Sequence, residues 1–532
     1  MTSSAILPYP IIPITSDMSV DMPVYHQLAD ALLDSVAEHH ARLQGRRIWL
    51  ACSGGRDSLV LAALCLQLYQ QGKLPFLPQL LHVNHNLQAD SHHWAEHVAH
   101  WARVQKMPCH ILTAHVEGHD EQAARQARYQ VMRAHINQED VLLLAHHADD
   151  QAETVLMRLI QGAGVNGLSG MQAWRVQSQA GHRTALWRPW LSIRRATISN
   201  YAKQLKLSYI DDPTNDDGDN VRSGLRREVL PALTVYNANA IANIARSAQL
   251  LADTQAIVSD QAKQDLQKTA IVAPATVLSY PPAQRVLDID ELHTLPLYRQ
   301  RQLLHAWLTQ DEPLPPAKQL IDDVLRLTQR DNHDHQTQLC WQARTQQYRM
   351  SRYRQQLYRL SSTWLEWLQL PVAEQTQILP DFSFDADRLV KKNASQDKPV
   401  IMPLRVGEGY RWQLEIAFDM LMPLISHEDK VVLKAAPLDR QQRVQTALAT
   451  RPQAGKKLYQ TLGMPVWLRD SLVVISAVSV HTAEALPLLL VSPFESWVLG
   501  VDKSVVGSEV ENEGNVLKSA LKNVLIVNEL VK

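Results

Sequence analysis

A helix that is apolar on every face has to be buried on all sides. Leu59-Val60-Leu61-Ala62-Ala63-Leu64-Cys65-Leu66 is such a run, and it follows Ile48-Trp49-Leu50-Ala51-Cys52, which is short, apolar and rich in strand formers. Between them lies Ser53-Gly54-Gly55-Arg56-Asp57-Ser58. A strand, a glycine turn and a helix start form an anion site, because the first N–H groups of a helix lack helical partners and the macrodipole favours negative charge there. Gly54 and Gly55 allow positive φ and close approach of the backbone to an oxygen-rich ligand, and Ser53 and Ser58 add hydroxyls. Asp57 would repel a bare phosphate, so its expected role is to hold Mg²⁺ against phosphates. A plain helix cap explains a bare Ser-Gly-Gly equally well. No Gly-Lys-Ser/Thr follows, which excludes a Walker A loop.

The segments downstream repeat an alternation. Gln79 to His85, Cys109 to Leu112 and Val141 to Ala145 have strand character, while His92 to Lys106 and Glu121 to Ile136 have helical spacing. Tyr25 to Leu43 is a helix leading into the first strand. This order predicts a doubly wound parallel sheet, whose ligands bind beyond the carboxyl ends of the strands. Those ends carry Ser53-Gly54-Gly55, Asn84-His85 and His146-His147. A length of 532 residues implies two to four domains. With 53 Lys+Arg against 54 Asp+Glu, net charge neither demands nor excludes nucleic acid. Four scattered cysteines without a CxxC pair argue against a zinc ribbon or a cysteine-held cluster. No apolar stretch reaches the ~18 residues of a membrane helix, and no Lys or Arg precedes Arg42 as a secretory signal requires. The expectation is a cytoplasmic protein with no membrane partner.

A second chemical cluster is His146-His147-Ala148-Asp149-Asp150-Gln151-Ala152-Glu153-Thr154. Alone it fits a two-metal phosphoesterase or a helix start with acids complementing the dipole. Asp149 or Asp150 and Glu153 share one helical face. The glycines of Gly162 to Met171 suggest a mobile loop, Asp211 to Asn215 a turn, and Arg222, Arg226 and Arg227 lie on a helix ending at Leu230-Pro231. Leu233 to about Gln329 is helical by pattern. Gln338 to Leu360 alternates like paired strands, with Arg344, Arg349, Arg352, Arg354 and Arg359 among Trp341, Tyr348, Tyr353 and Tyr358. That mixture suits phosphate contact and base stacking, or a solvated sheet edge protected by charge.

Taken in order, SGGRDS, HVNH (His82 to His85), EQAARQARY (Glu121 to Tyr129), HHADDQAET, GLSGM, RPW and DPTN with its downstream arginines resemble the tRNA(Ile)-lysidine synthetase family, over about the first 230 residues. Lys456-Lys457-Leu458, Leu462-Gly463-Met464-Pro465 and Trp467-Leu468-Arg469-Asp470 are similar to the C-terminal module of its long members. Two departures stand out: Ser223 where the family usually has Asn after Arg, and Arg56 at a variable position of the loop.

The resemblance implies an adenine nucleotide alpha hydrolase-like α/β domain at 25–231, after a loose leader at 1–24. A mainly helical, tRNA-contacting central domain at 232–365, a linker at 366–399, a small α+β tRNA-binding module at 400–504 and a tail at 505–532, with at most one short helix, complete the expected order. It implies ATP as substrate, Mg²⁺ on Asp57, and as partners free L-lysine and the CAU-anticodon isoleucine tRNA; a homodimer is left open. The C2 oxygen of the wobble cytidine attacks the α-phosphate, pyrophosphate leaves, and the lysine amine displaces AMP. By the same resemblance ATP binds Ser53, Gly54, Gly55, Arg56, Asp57, Ser58, Asn84 and His85, and Asp57, Asp150, Glu153 and Arg226 act in catalysis. Asp149, Arg125, Arg128, Arg222, Lys456, Lys457 and Arg469 are candidates for lysine or tRNA contact. The ε-amine, with its ordinary pKa of ~10.4, is deprotonated in only about one molecule in a few thousand near pH 7, a deficit of roughly 4–5 kcal/mol. A carboxylate base or desolvation has to recover part of it. A related enzyme that thiolates tRNA, or a non-catalytic RNA-binding protein, are the alternatives; the first usually needs cysteine pairs that this chain lacks.

Overall fold

Residue by residue, the strands that follow the leader send their side chains to two different cores. Ile48 and Leu50 pack with the Arg56–Gln70 helix, while Trp49 between them packs on the opposite face with Leu81, Leu142 and Leu186. Val141 and Leu143 alternate with Leu142 in the same way, as do Ala185 and Trp187 with Leu186. Period-two alternation with both faces apolar is the signature of a sheet covered by helices on each side. The computed structural model describes residues 5–7, 9–84, 91–114, 121–179, 182–211, 221–272, 284–330, 337–370, 375–378, 400–416, 431–479, 485–499 and 525–530. It divides into two compact units, Met1–Ile257 and Val258–Lys532.

In the first unit the sheet runs Cys109–Thr113, Gln79–Asn84, Ile48–Ala51, Val141–Leu143, His182–Trp187, Trp174–Gln179. All neighbours are parallel except the last pair, a hairpin that adds two strands to the four expected. The Arg56–Gln70 helix is buried from Ser58 to Leu68, as its all-round apolar sequence requires.

The segment expected as a loose leader is strapped down. Ala5–Ile6 pairs with Ile210–Asp211, and the Gln67 side-chain amide donates to the carbonyls of Thr15 and Met18 at 3.2 and 2.8 Å. Gln105 holds Ile12 and Ile14 from the other side at 2.7 and 2.8 Å. A proline-rich chain cannot join a ladder along its length; here side-chain amides supply the partners its backbone needs.

The second unit holds an antiparallel sheet, Gln338–Gln342, Gln347–Tyr353, Gln356–Ser361, Arg285–Asp288, packed on the Leu297–Thr309 and Lys318–Thr328 helices. Its basic residues do not all face solvent. Arg359 is 0 % exposed and caps the helix before it, donating to the carbonyls of Trp307 and Leu308 at 3.1 and 2.8 Å. Arg352 is buried and donates to Thr328 and Arg330 carbonyls. Tyr348, Tyr353 and Tyr358 are buried as well, so neither the base-stacking nor the solvated-edge expectation holds for these five. Helix C-termini leave carbonyls without partners, and arginine satisfies them.

No core boundary falls at residue 365. The Ser362–Gln369 helix puts Trp364 and Trp367 into one cluster with Trp412, Leu433, Leu458 and Val473 of the C-terminal segment. Within the expected linker, Gln375–Ile378 forms the edge of a five-stranded sheet beside Val431–Pro437. In the expected tail, Leu525–Leu530 is a strand paired with Tyr410–Ile416 in place of a short helix. The adjacent β-branched residues Ile526 and Val527 favour that pairing. A chain ending at Lys398 would therefore strip Trp364 and Trp367 of their cover as well as removing the module.

Candidate active site

The carboxyl ends of three adjacent strands open onto one cavity of about 370 Å³, in the size range of small-molecule sites. Ala51, Val83, Leu144 and Met132 give it apolar walls that suit a flat ring, and Ser53, Asp57 and Ser58 line its polar end. Arg128 and Tyr129 enter from the Glu121–His135 helix, and Ser91 and Trp94 from the Ser91–Val104 helix.

The glycine turn is held tightly. Gly54 has φ +85°, and a Cβ there would lie 2.5 Å from Ile210 Cδ1 and 2.9 Å from Val98 Cγ2. The Ile210 N–H donates to the Gly54 carbonyl at 2.9 Å, so the strand beyond the sheet closes against the turn. Gly55 N–H donates to Ser53 Oγ at 3.2 Å and Ser58 Oγ to the Gly55 carbonyl at 3.0 Å. Both serines brace the turn internally.

Asp57, in the first helical turn, accepts from Arg56 Nε at 2.9 Å on one oxygen and lies 3.5 Å from His147 Nε2 on the other. Burial alone would push this carboxyl up; the hydrogen bond and charge of His147, with Arg56, outweigh it and hold the group well below the usual carboxylate range. His147 caps the Ala148–Ile160 helix through a reciprocal box: its Nδ1 accepts from Asp150 N–H at 3.4 Å, and Asp150 Oδ2 accepts from His147 N–H at 3.1 Å. Its Nε2 is 3.5 Å from carboxylate oxygens of both Asp57 and Asp150. Burial pulls the imidazole's basicity down, but Asp150, Asp57 and Asp149 overcome it and raise it. His147 stands in the sequence at a converging strand end and at the head of the acid cluster, but its place between Asp57 and Asp150 is set by the tertiary structure.

The other acids of the cluster separate. Asp149 turns to Arg194, at 3.3 and 3.4 Å, and to the Arg195 N–H at 2.8 Å, fastening the Arg195–Gln204 helix. Glu153 is 1 % exposed and grips Arg226 on both oxygens, at 2.7 and 3.0 Å, with Arg222 Nε 3.2 Å away. The helix bearing these arginines was expected to end at Leu230-Pro231; it continues to Tyr236 through a wide π turn at Leu225–Val229. Ser223, the departure, is buried in its first turn.

Exchanging Glu153 for Gln is expected to lower unfolding stability by about 2 kcal/mol. That is less than a fully buried pair would lose, because both guanidiniums are about a quarter exposed. Urea unfolding of wild type and variant measures it; a change under half of that would make the three-way contact energetically idle.

The glycine-rich loop is pinned where its composition suggested mobility. Arg158 Nη1 donates to the Gly167 and Gly170 carbonyls, both at 2.8 Å, and Gln151 brackets Met171 with bonds of 2.7 and 2.9 Å. His85, and 212–215 of the expected turn, lie outside the described residues, as does the Arg125 side chain. Asn84 and Arg128 line the cavity. In the second unit Lys456 and Lys457 are exposed on the Gly455–Thr461 helix. Arg469 instead braces its own module, 5.1 Å over the Tyr459 ring and donating to the Met464 carbonyl at 3.4 Å.

Among the described residues no group of three or more His, Cys, Asp or Glu could hold a metal by itself. Asp57 nevertheless offers an ionised, hard carboxylate beside the glycine turn, and Mg²⁺ commonly takes one or two carboxylates and completes its shell with phosphate oxygens and water. The residues fit such an ion in the company of a phosphate substrate.

A family model described as PP-loop domain matches residues 25–233, and one described as TilS substrate binding domain matches 287–358. The chain is 38% identical over 507 residues to the tRNA(Ile)-lysidine synthase of Psychrobacter sp. (strain PRwf-1), covering 89% of this chain and 94% of that one. It is 36% identical over 302 residues to the tRNA(Ile)-lysidine synthase of Pseudomonas syringae pv. tomato (strain ATCC BAA-871 / DC3000), covering 56% and 65%. Identity of that level along nearly the whole of both chains, in a chain whose glycine turn and Asp57 line one cavity at the strand ends, makes this chain a member of the tRNA(Ile)-lysidine synthase family.

Proposed function

We propose that this protein joins free lysine to C2 of the wobble cytidine in the CAU-anticodon isoleucine tRNA, splitting ATP into AMP and pyrophosphate. The observation that carries the reading is a glycine turn with Asp57 at the polar end of an apolar-walled cavity, backed by His147, whose Nε2 lies 3.5 Å from both Asp57 and Asp150. The adenine occupies the apolar walls and the phosphates lie along the turn and the helix start. Asp57 would hold Mg²⁺, which when bound would stabilise charge on the phosphates. His147, 3.5 Å from both carboxylates, holds Asp57 and Asp150 on one imidazole. Arg226, fixed by Glu153, offsets negative charge on the α-phosphate of the transferring adenylyl group.

Of the three acids considered for the lysine amine, Glu153 has both oxygens on Arg226 and Asp149 is spent on Arg194 and Arg195. Asp150, the most exposed side chain of the three at 19%, is the one we assign to take the amine proton. No described helix is long and apolar enough to cross a membrane, and we assign the protein to the cytoplasm, where tRNA, ATP and lysine are available together.

The direct test is AMP release from ATP with a matching isoleucine tRNA transcript, with and without lysine. AMP release independent of tRNA, or lysine absent from the tRNA product, would sink this function. Lys456→Glu with Lys457→Glu tests the C-terminal module without disturbing its core, since both side chains are exposed. Two reversed charges should raise the tRNA concentration for half-maximal rate about tenfold or more at moderate salt, and less at high salt, with the ATP dependence unchanged. An unaltered tRNA dependence would remove these lysines from the tRNA surface.

A further inference from the structure

Pro231 has no N–H, and its ring collides with the carbonyl four residues back when a helix stays regular. In an unbroken α-helix that carbonyl belongs to Arg227. The chain instead opens by one residue: the Leu230 N–H donates to the Leu225 carbonyl, five residues back, and Leu225–Val229 forms a π turn between two α-helical segments. Downstream of the turn, Leu230 packs with Ala152 and Ile241, and Leu233 joins them. Upstream and within it, Arg222 and Arg226 reach the buried Glu153.

One inserted residue turns the two ends of a helix by about 100° relative to each other. With Leu230 and Leu233 kept in their apolar contact, closing the turn would swing both arginines off Glu153. We propose that Pro231 is a positioning residue for the adenylyl-transfer step: it holds the π turn open and thereby sets the direction in which Arg226 leaves the helix. This rests on the reading above that Arg226 offsets charge on the α-phosphate of the transferring adenylyl group. Wide turns of this kind are found frequently at functional sites, and here the residue that forces one sits five positions from the guanidinium it aims.

Pro231→Ala in the full-length protein restores the missing N–H and favours a closed α turn. The expected result is a thermal midpoint equal to or above wild type, with kcat for AMP formation reduced at least tenfold and the KM for ATP within twofold. Pro231→Gly closes the turn less readily and should lose less activity than Ala; a role in stability alone would give the opposite order, because Gly is the poorer helix former. On an Arg226→Ala background Pro231→Ala should change kcat by less than twofold. Independent of any reaction, the stability lost in Glu153→Gln should shrink by at least half when Pro231→Ala is already present. Unchanged kcat in Pro231→Ala, losses that multiply in the double variant, or an undiminished cost of Glu153→Gln would each overturn the inference. Failure of the functional reading looks different: wild type would then form no tRNA-dependent AMP, while the coupling between positions 231 and 153 in stability would stand.

Discussion

Asp57→Asn is expected to reduce AMP formation by about a thousandfold or more while the thermal midpoint moves by no more than about 4 °C. Asn keeps the size of the side chain and one acceptor oxygen, enough for Arg56 Nε or for His147 Nε2 but not for both. What it loses is the charge, and with it the hard oxygen that suits Mg²⁺. Removing a metal's contribution to a phosphoryl transition state costs several kcal/mol, and about 4 kcal/mol corresponds to that factor. The structural loss stays small because Asp150 and Asp149 remain beside His147. Steady-state AMP release and a melting curve on the same preparation decide the matter. A variant within tenfold of wild-type rate would exclude Asp57 as the metal-holding group.

Gly54→Ala should be nearly as damaging, and for a different reason. The backbone there sits at φ +85°, which costs a non-glycine residue about 1–2 kcal/mol, and the new methyl would lie 2.5 Å from Ile210 Cδ1. Overpacking of this kind adds about 1–3 kcal/mol, so a total loss of roughly 2–5 kcal/mol is expected. Because the Gly54 carbonyl is bonded to Ile210, the methyl can be accommodated only by shifting the turn, which is the proposed seat of the phosphates. A displacement of about 1 Å at a reacting centre can cost a hundredfold in rate. Gly72→Ala is the control: its φ is +72°, yet a Cβ there would meet nothing within 4 Å. Equal losses of stability and of AMP formation in the two variants would mean that backbone strain, and not the fit against Ile210, governs the turn.

Local chemistry was enough to anticipate most of the first unit. The apolar run Leu59 to Leu66 had to be buried, the strands had to alternate with helices, and the polar residues at their carboxyl ends had to converge, because each statement depends only on neighbours in the chain. The Ser53 to Ser58 turn was legible for the same reason: its glycines, serines and aspartate act through the backbone that carries them.

Everything that depended on a distant partner was left to the tertiary structure. His147, Asp149, Asp150 and Glu153 stand within seven residues, and nothing in that spacing reveals that Arg194 claims one acid and Arg226 another, 45 and 73 residues away. The same holds for Arg352 and Arg359, whose basic and aromatic neighbourhood suggested an RNA surface until helix ends 24 and 52 residues earlier proved to need their protons. The proline-rich N-terminal segment looked loose because the glutamines that bond Ile12, Thr15 and Met18 lie about 50 to 90 residues ahead. A charged side chain has the same chemistry on a surface or against a buried carbonyl. Which of the two it does is decided by which backbone groups the fold leaves without partners, and that is a property of packing between segments remote in the chain.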